Sequence, residues 1–136
     1  MTGIAERPVL TSKHSLTSRQ RLSLRNHLIA DREQTLLEIA RAGVEMAAFV
    51  AARNDAPTDD EHDPEGPTLA FERSQASAMQ AQSVRHVADI DAALARMDDG
   101  AYGLCTTCGD EIAIGRLQAR PQAPLCINCA ERASRY

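Results

Sequence analysis

All four cysteines of the chain fall within CTTCGDEIAIGRLQARPQAPLCINC, residues 105 to 129, as two CxxC pairs separated by 17 residues. This is the strongest constraint on the fold. Each CxxC turn presents two thiolates, and a loop of this length can bring the pairs together around one tetrahedral zinc ion. Four thiolates leave no open position for water, so the spacing points to a structural metal and not to zinc hydrolysis. A thioredoxin-type redox site is disfavoured, because a second CxxC follows and no βαβ pattern surrounds either pair. Gly103 and Gly109 provide permissive backbone at the turns, Ile112, Ile114, Leu117 and Leu125 provide a small core, and a short terminal helix is expected in AERASRY. Arg116, Arg120 and Arg132 lie close in sequence to a cluster of net charge −2. They either offset that charge locally or form a docking or anion-contact surface, with Arg116 and Arg120 the candidates.

The remainder of the chain reads as helix. In 136 residues there is no Trp, with only two Phe and two Tyr, and many of the apolar residues are Ala. Such side chains bury little area each and suit helices packed closely side by side better than a thick core. Residues 1–17 carry no sustained apolar period and are expected to be a flexible leader. From Ser18, read as the cap, Leu22, Ile29, Leu36 and Val50 recur every seven residues with Ile39 and Met46 between them, which is a helical seam. Gly43 interrupts it, either weakening the helix or admitting a close partner.

Residues 54–67, NDAPTDDEHDPEGP, break the pattern with three Pro, one Gly and six acidic residues without one Lys or Arg. Thr68 then offers an N-cap for a second helix from about Leu69 to Met97, with Val84, Val87, Ile90, Leu94 and Met97 on one face. Gly100 is the expected left-handed cap. Two helices of about 30 residues, or roughly 45 to 50 Å, fold back into an antiparallel hairpin with the acidic segment at its tip. The fold class is therefore all-α dominated: a coiled-coil hairpin (18–99) on a four-cysteine zinc module with a short C-terminal helix (100–136).

The charge pattern narrows the function. The formal net charge is −4, and four thiolates on one Zn²⁺ lower it further by about 2. That argues against sequence-specific DNA binding driven by phosphate neutralisation. No apolar run reaches the roughly 20 residues of a membrane span, and the N-terminus lacks a signal-peptide core. A cytoplasmic protein is expected, in which paired CxxC motifs serve metal better than disulfides. His14, His27, His62 and His86 share no ligand spacing, and no nucleophile with a base or phosphate-cradling loop is evident. The chain is not expected to be an enzyme.

The stretch DDGAYGLCTTCGDEIAIGRLQARPQAPLCINC resembles the zinc-finger signature of the DksA/TraR family beyond its cysteines, with Tyr102, Gly103, Gly109, Ile112, Arg116, Leu117, Ala119 and Pro121 all fitting. The preceding hairpin fits as well. The resemblance implies a transcription regulator that binds RNA polymerase, inserting the hairpin in the secondary channel so that acidic tip residues reach towards the catalytic centre. Asp59, Asp60, Asp63 and Glu65 are the tip candidates here. Counted without gaps from Cys105, the family's Asp-x-x-Asp-x-Ala motif lands on His62, Glu65 and Pro67. Asp60 and Asp63 keep the Asp-x-x-Asp spacing two residues earlier, with Glu65 in place of Ala. Of the family's alarmone-binding basic positions, one falls on Arg120 and the others on Asp89 and Ala130, so weak or no response to guanosine tetraphosphate is expected. A monomer is expected, because a hairpin satisfies its own seam. Two readings from other classes stay open at this point: a zinc-clamped helical adaptor for another protein, and a thiol or zinc redox sensor.

Overall fold

A computed structural model describes residues 16–55 and 66–135. Among these there are four helices: α1 (Ser18–Asp55), α2 (Gly66–Asp98), α3 (Ile114–Ala119) and α4 (Ile127–Ala133). The chain divides into two units. One combines the residues up to His27 with Ala93–Tyr136, and the other is Leu28–Ala92.

The start of α1 is fastened one residue before Ser18, the residue whose sequence context suggests a cap. Thr17 Oγ1 accepts from the Gln20 N–H at 3.1 Å, and Gln20 Oε1 accepts from the Thr17 N–H at 2.9 Å. This reciprocal pair is a capping box, encoded in Thr-x-x-Gln, and it satisfies donors that the first turn leaves over. Thr68 is likewise not the cap of α2, because Gly66 and Pro67 are already helical. Proline suits a first turn, having its φ preset and no N–H that would need a partner.

In the Leu28–Ala92 unit, α1 and α2 run antiparallel. Arg32 Nε donates to Asp91 Oδ1 at 2.7 Å, Asp31 Oδ2 lies 2.8 Å from His86 Nε2, and the Arg73 guanidinium stands 5.4 Å from the centre of the Phe49 ring. Rising numbers on one helix thus meet falling numbers on the other. The two helices do pair along a heptad seam, but it is displaced by one residue from the expected positions. Leu28 and Ile90 are fully buried and Thr35 is buried, whereas Ile29, Leu36 and Val50 are 38%, 40% and 39% exposed. One residue is about 100° of helix rotation, enough to carry the most apolar heptad off the seam and put Leu28, Thr35, Ala42 and Phe49 nearest the partner. Thr35 tolerates this position because its hydroxyl donates to Asp31 Oδ1 at 3.2 Å. On α2, Val87, Leu94 and Met97 are half-buried, but Val84 is 52% exposed.

Gly43 makes no close helix approach: a Cβ built there meets nothing within 4 Å. Its cost to the helix is therefore uncompensated among the described residues. Gly43→Ala is expected to stabilise the hairpin by about 1 kcal/mol, read as a higher urea midpoint with an unchanged m value. An unchanged or lower midpoint would contradict this placement.

In the other unit the end of α2 closes as the sequence suggests. Gly100 has φ +76°, the Ala101 N–H bonds to Arg96 O at 2.8 Å, and the Gly100 N–H bonds to Met97 O at 3.3 Å. This paired arrangement is a Schellman cap. Leu24, Ala93, Tyr102, Ile112, Leu117 and Ala123 are buried in this unit. The exposed pair Arg25–Asp98, at 3.1 Å, adds little to stability.

Candidate metal centre

Two short backbone devices build the thiol cluster. In the first, Leu104 and Glu111 form an antiparallel bridge, with Ile112 N–H bonded to Gly103 O and Cys105 N–H bonded to Asp110 O, both at 2.8 Å. Between them the chain reverses through Cys105 to Cys108. The reversal needs left-handed backbone at Gly109, φ +77°, and Gly103 enters it at φ +88°. In the second, Cys126 is the N-cap of α4, and its sulfur accepts from the Cys129 N–H at 3.5 Å. The terminal helix thus begins at Ile127 and contains Cys129, earlier than the AERASRY segment suggests. The six-residue helix α3 lies between the two devices and buries Leu117.

These turns bring all four Sγ atoms within 4.8 Å of one another. The Cys108 and Cys126 sulfurs are 3.8 Å apart, close to the edge of a tetrahedron with Zn–S bonds of about 2.3 Å and too far for a disulfide. Cys105 and Cys129 are buried, Cys126 is half-buried and Cys108 is exposed. The donor set fits one structural zinc ion.

The ionisation pattern explains why the cluster calls for a cation. N–H groups of Cys108 and then Cys126 lower the Cys105 thiol to about 6. Hydrogen bonding with the Cys126 thiol, followed by burial, pushes Cys129 up to about 12. At Cys108 the Asp110 N–H favours the thiolate, but burial and the neighbouring thiols outweigh it and the thiol is raised. One thiolate forms readily and opposes the next, so a bound dication replaces protons on the others.

The other residues singled out in the sequence are distributed as follows. Arg116 is half-buried, and its Nε donates to Leu125 O at 2.9 Å. Arg120 follows α3 and is exposed, lining a groove of about 450 Å³ with Asp110, Glu111, Arg116, Cys126 and Asn128. Arg132 is exposed in the last turn of α4. Asp89 is exposed on α2 and Ala130 is half-buried on α4. The tip candidates Asp59, Asp60, Asp63 and Glu65 lie outside the described residues, as does nearly all of the 1–17 leader. Sequence reasoning did not find Arg96, whose Nη2 donates to Gln122 O at 3.5 Å, or the hydroxyl bond of Tyr102 to Pro121 O at 2.9 Å. Both partners are backbone carbonyls distant in sequence, for which no motif exists.

With this geometry in place, comparison with known proteins is specific. Residues 100–135 match the model of the prokaryotic dksA/traR C4-type zinc finger. A 40-residue stretch is 52% identical to the RNA polymerase-binding transcription factor DksA of Haemophilus influenzae, covering 29% of this chain and 28% of that protein. A 49-residue stretch is 43% identical to the protein of the same name in Caulobacter vibrioides, covering 36% of this chain and 34% of that protein. The sequence matches thus span about a third or less of the relatives' length. The fold is similar to that of transcription factor DksA2 from Pseudomonas aeruginosa, with a TM-score of 0.68 and 25% identity over 87% of this chain and 85% of that one. Residues 100–135 thus carry a C4-type zinc finger of the dksA/traR kind, on a chain whose fold is similar to that of a DksA protein.

Proposed function

We propose that this protein is a DksA-like transcription regulator that binds RNA polymerase in the cytoplasm, places its hairpin in the secondary channel and brings the acidic tip near the catalytic centre. The observation that carries this reading is the extent of the structural likeness: 87% of the chain aligns, so the similarity includes the hairpin as well as the finger. The surface chemistry supports a protein partner. The chain is acidic overall, and α1 exposes Leu37 and Val44 at 59% and 70%, which suits apolar contact better than a phosphate backbone. No described helix is long and apolar enough to cross a membrane.

In this reading the zinc module is a clamp with a docking face. Its closed thiolate set supplies no Lewis acid, and no catalytic residue is assigned. Arg120 is the freer docking candidate, since Arg116 is held by a backbone carbonyl. Asp59, Asp60, Asp63 and Glu65 supply carboxylates without neighbouring Lys or Arg, a charge set able to perturb a Mg²⁺ centre at short range. Asp89, where the family carries a basic alarmone contact, would repel a polyphosphate, so the response to guanosine tetraphosphate is weak or absent.

The test is binding to purified polymerase, with open-complex lifetime measured alongside, for the wild type and for Asp59→Asn/Asp60→Asn/Asp63→Asn. Retained binding with loss of the effect on lifetime is expected. Failure of the wild type to bind would overturn the proposal in favour of an adaptor for another protein, and strong synergy with the alarmone would overturn its last part.

A further inference from the structure

The segment from Pro121 to Leu125 opens with a turn, in which the Ala123 N–H bonds to Arg120 O at 3.0 Å, and forms a strap between α3 and the second cysteine pair. Pro121 and Pro124 have no N–H, so the strap cannot join a regular ladder, and its carbonyls need donors from elsewhere. Four of them find one. Pro121 O accepts from the Tyr102 hydroxyl at 2.9 Å and Gln122 O from Arg96 Nη2 at 3.5 Å. Pro124 O accepts from the Thr106 N–H at 2.9 Å, and Leu125 O from Arg116 Nε at 2.9 Å. The donors come from the last turn of α2, the residue just beyond its cap, the first cysteine turn and α3. The fourth carbonyl belongs to the residue immediately before Cys126.

Two of these donors are also built into the end of α2. Arg96 supplies the carbonyl that accepts both the Ala101 and Tyr102 N–H groups, at 2.8 and 3.1 Å. Tyr102 is 2% exposed, and burial pushes its hydroxyl up to about 12, so it stays a donor at any physiological pH. The helix cap and the strap therefore share the same two residues, the cap through their backbone groups and the strap through their side chains.

We infer that Tyr102 and Arg96 are positioning residues for the zinc site: by holding the strap they place Cys126 and Cys129 opposite the first cysteine pair, and they couple metal occupancy to closure of the α2 end. The coupling is reciprocal. If the strap contacts raise zinc affinity by some factor, bound zinc stabilises those contacts by the same factor, and Arg96 and Tyr102 carry the effect to the cap that their backbone groups close. Zinc binding thus reports directly on the foot of the hairpin, independently of any polymerase contact.

The experiment uses the full chain. Zinc affinity is measured by competition with a chromophoric chelator, and amide exchange of residues 93–104 is followed with and without zinc, in wild type, Tyr102→Phe and Arg96→Met. Loss of these outer contacts is expected to weaken zinc binding about 10- to 100-fold, with the zinc-dependent protection at 93–104 reduced by a similar factor. Tyr102→Phe removes one oxygen and keeps the ring in the core, so stoichiometric zinc at saturation serves as its folding check. The inference is overturned if both variants bind zinc as tightly as wild type. It is equally overturned if zinc leaves exchange at 93–104 unchanged in the wild type, or if affinity falls while that protection persists in full.

Discussion

Cys129→Ser is expected to abolish zinc binding and unfold the segment from residue 100 to 135. The reason is the size of the module. Its buried side chains are Tyr102, Cys105, Ile112, Leu117, Pro121, Ala123 and Cys129, and two of those seven belong to the thiol cluster itself. A core this small does not by itself offset the conformational entropy lost on ordering the segment. Structural zinc supplies an apparent 10 to 16 kcal/mol in comparable fingers, which places the folded state out of reach without it. Zinc content measured by mass spectrometry should fall from one per chain to none. Amide protection at Ile112 and Leu117 should be lost, while helical circular dichroism from the Leu28–Ala92 unit, which contains no cysteine, remains. A variant that keeps stoichiometric zinc and a protected Leu117 would refute the assignment of Cys129 as a ligand on which the module depends.

Leu28→Ala is expected to destabilise the hairpin by about 2 to 5 kcal/mol, and Ile29→Ala by far less. These neighbours differ by one position and by little in side-chain volume, but Leu28 is fully buried and Ile29 is 38% exposed. Truncation at 28 opens a cavity at a site closed to solvent, on a helix pair whose other member buries Ile90 to 0% exposure. Truncation at 29 removes methyl groups that already touch solvent. Urea unfolding of both variants in the presence of zinc measures the difference. Equal losses, or a larger loss at 29, would return the seam to the Leu22–Ile29–Leu36–Val50 heptad.

The difference between these heptads marks how far periodicity reaches. A seven-residue apolar repeat establishes that α1 is a helix able to pack on another. When two adjacent heptads are both compatible with packing, the pattern does not say which one faces the partner. The outcome here depends on the partner's contributions: Ile90 is as fully buried as Leu28, His86 reaches Asp31, and the Asp31 carboxylate satisfies the Thr35 hydroxyl. A polar residue on the seam could not be foreseen, because its hydrogen-bond acceptor is one turn earlier and that acceptor's own partner is on the other helix. Helix starts were legible in principle. Thr-x-x-Gln at 17–20 is a local signal, as is Pro67 in a first turn, and each sets the helix start ahead of the simpler cap candidates Ser18 and Thr68.

For the metal centre the balance is different. Two CxxC pairs at this separation made the four-sulfur cluster legible, because thiolate chemistry and turn geometry act over four residues and leave few alternatives. Gly100 was equally readable, since a left-handed cap after a helix selects glycine within a single turn. What only the tertiary structure decided is how the second pair is held. The carbonyls of Pro121, Gln122, Pro124 and Leu125 carry no side-chain signature, and their donors at Tyr102, Arg96, Thr106 and Arg116 are brought to them by the fold. Local stereochemistry can be read along the chain, whereas a hydrogen bond to a distant backbone oxygen exists only after the chain has closed on itself.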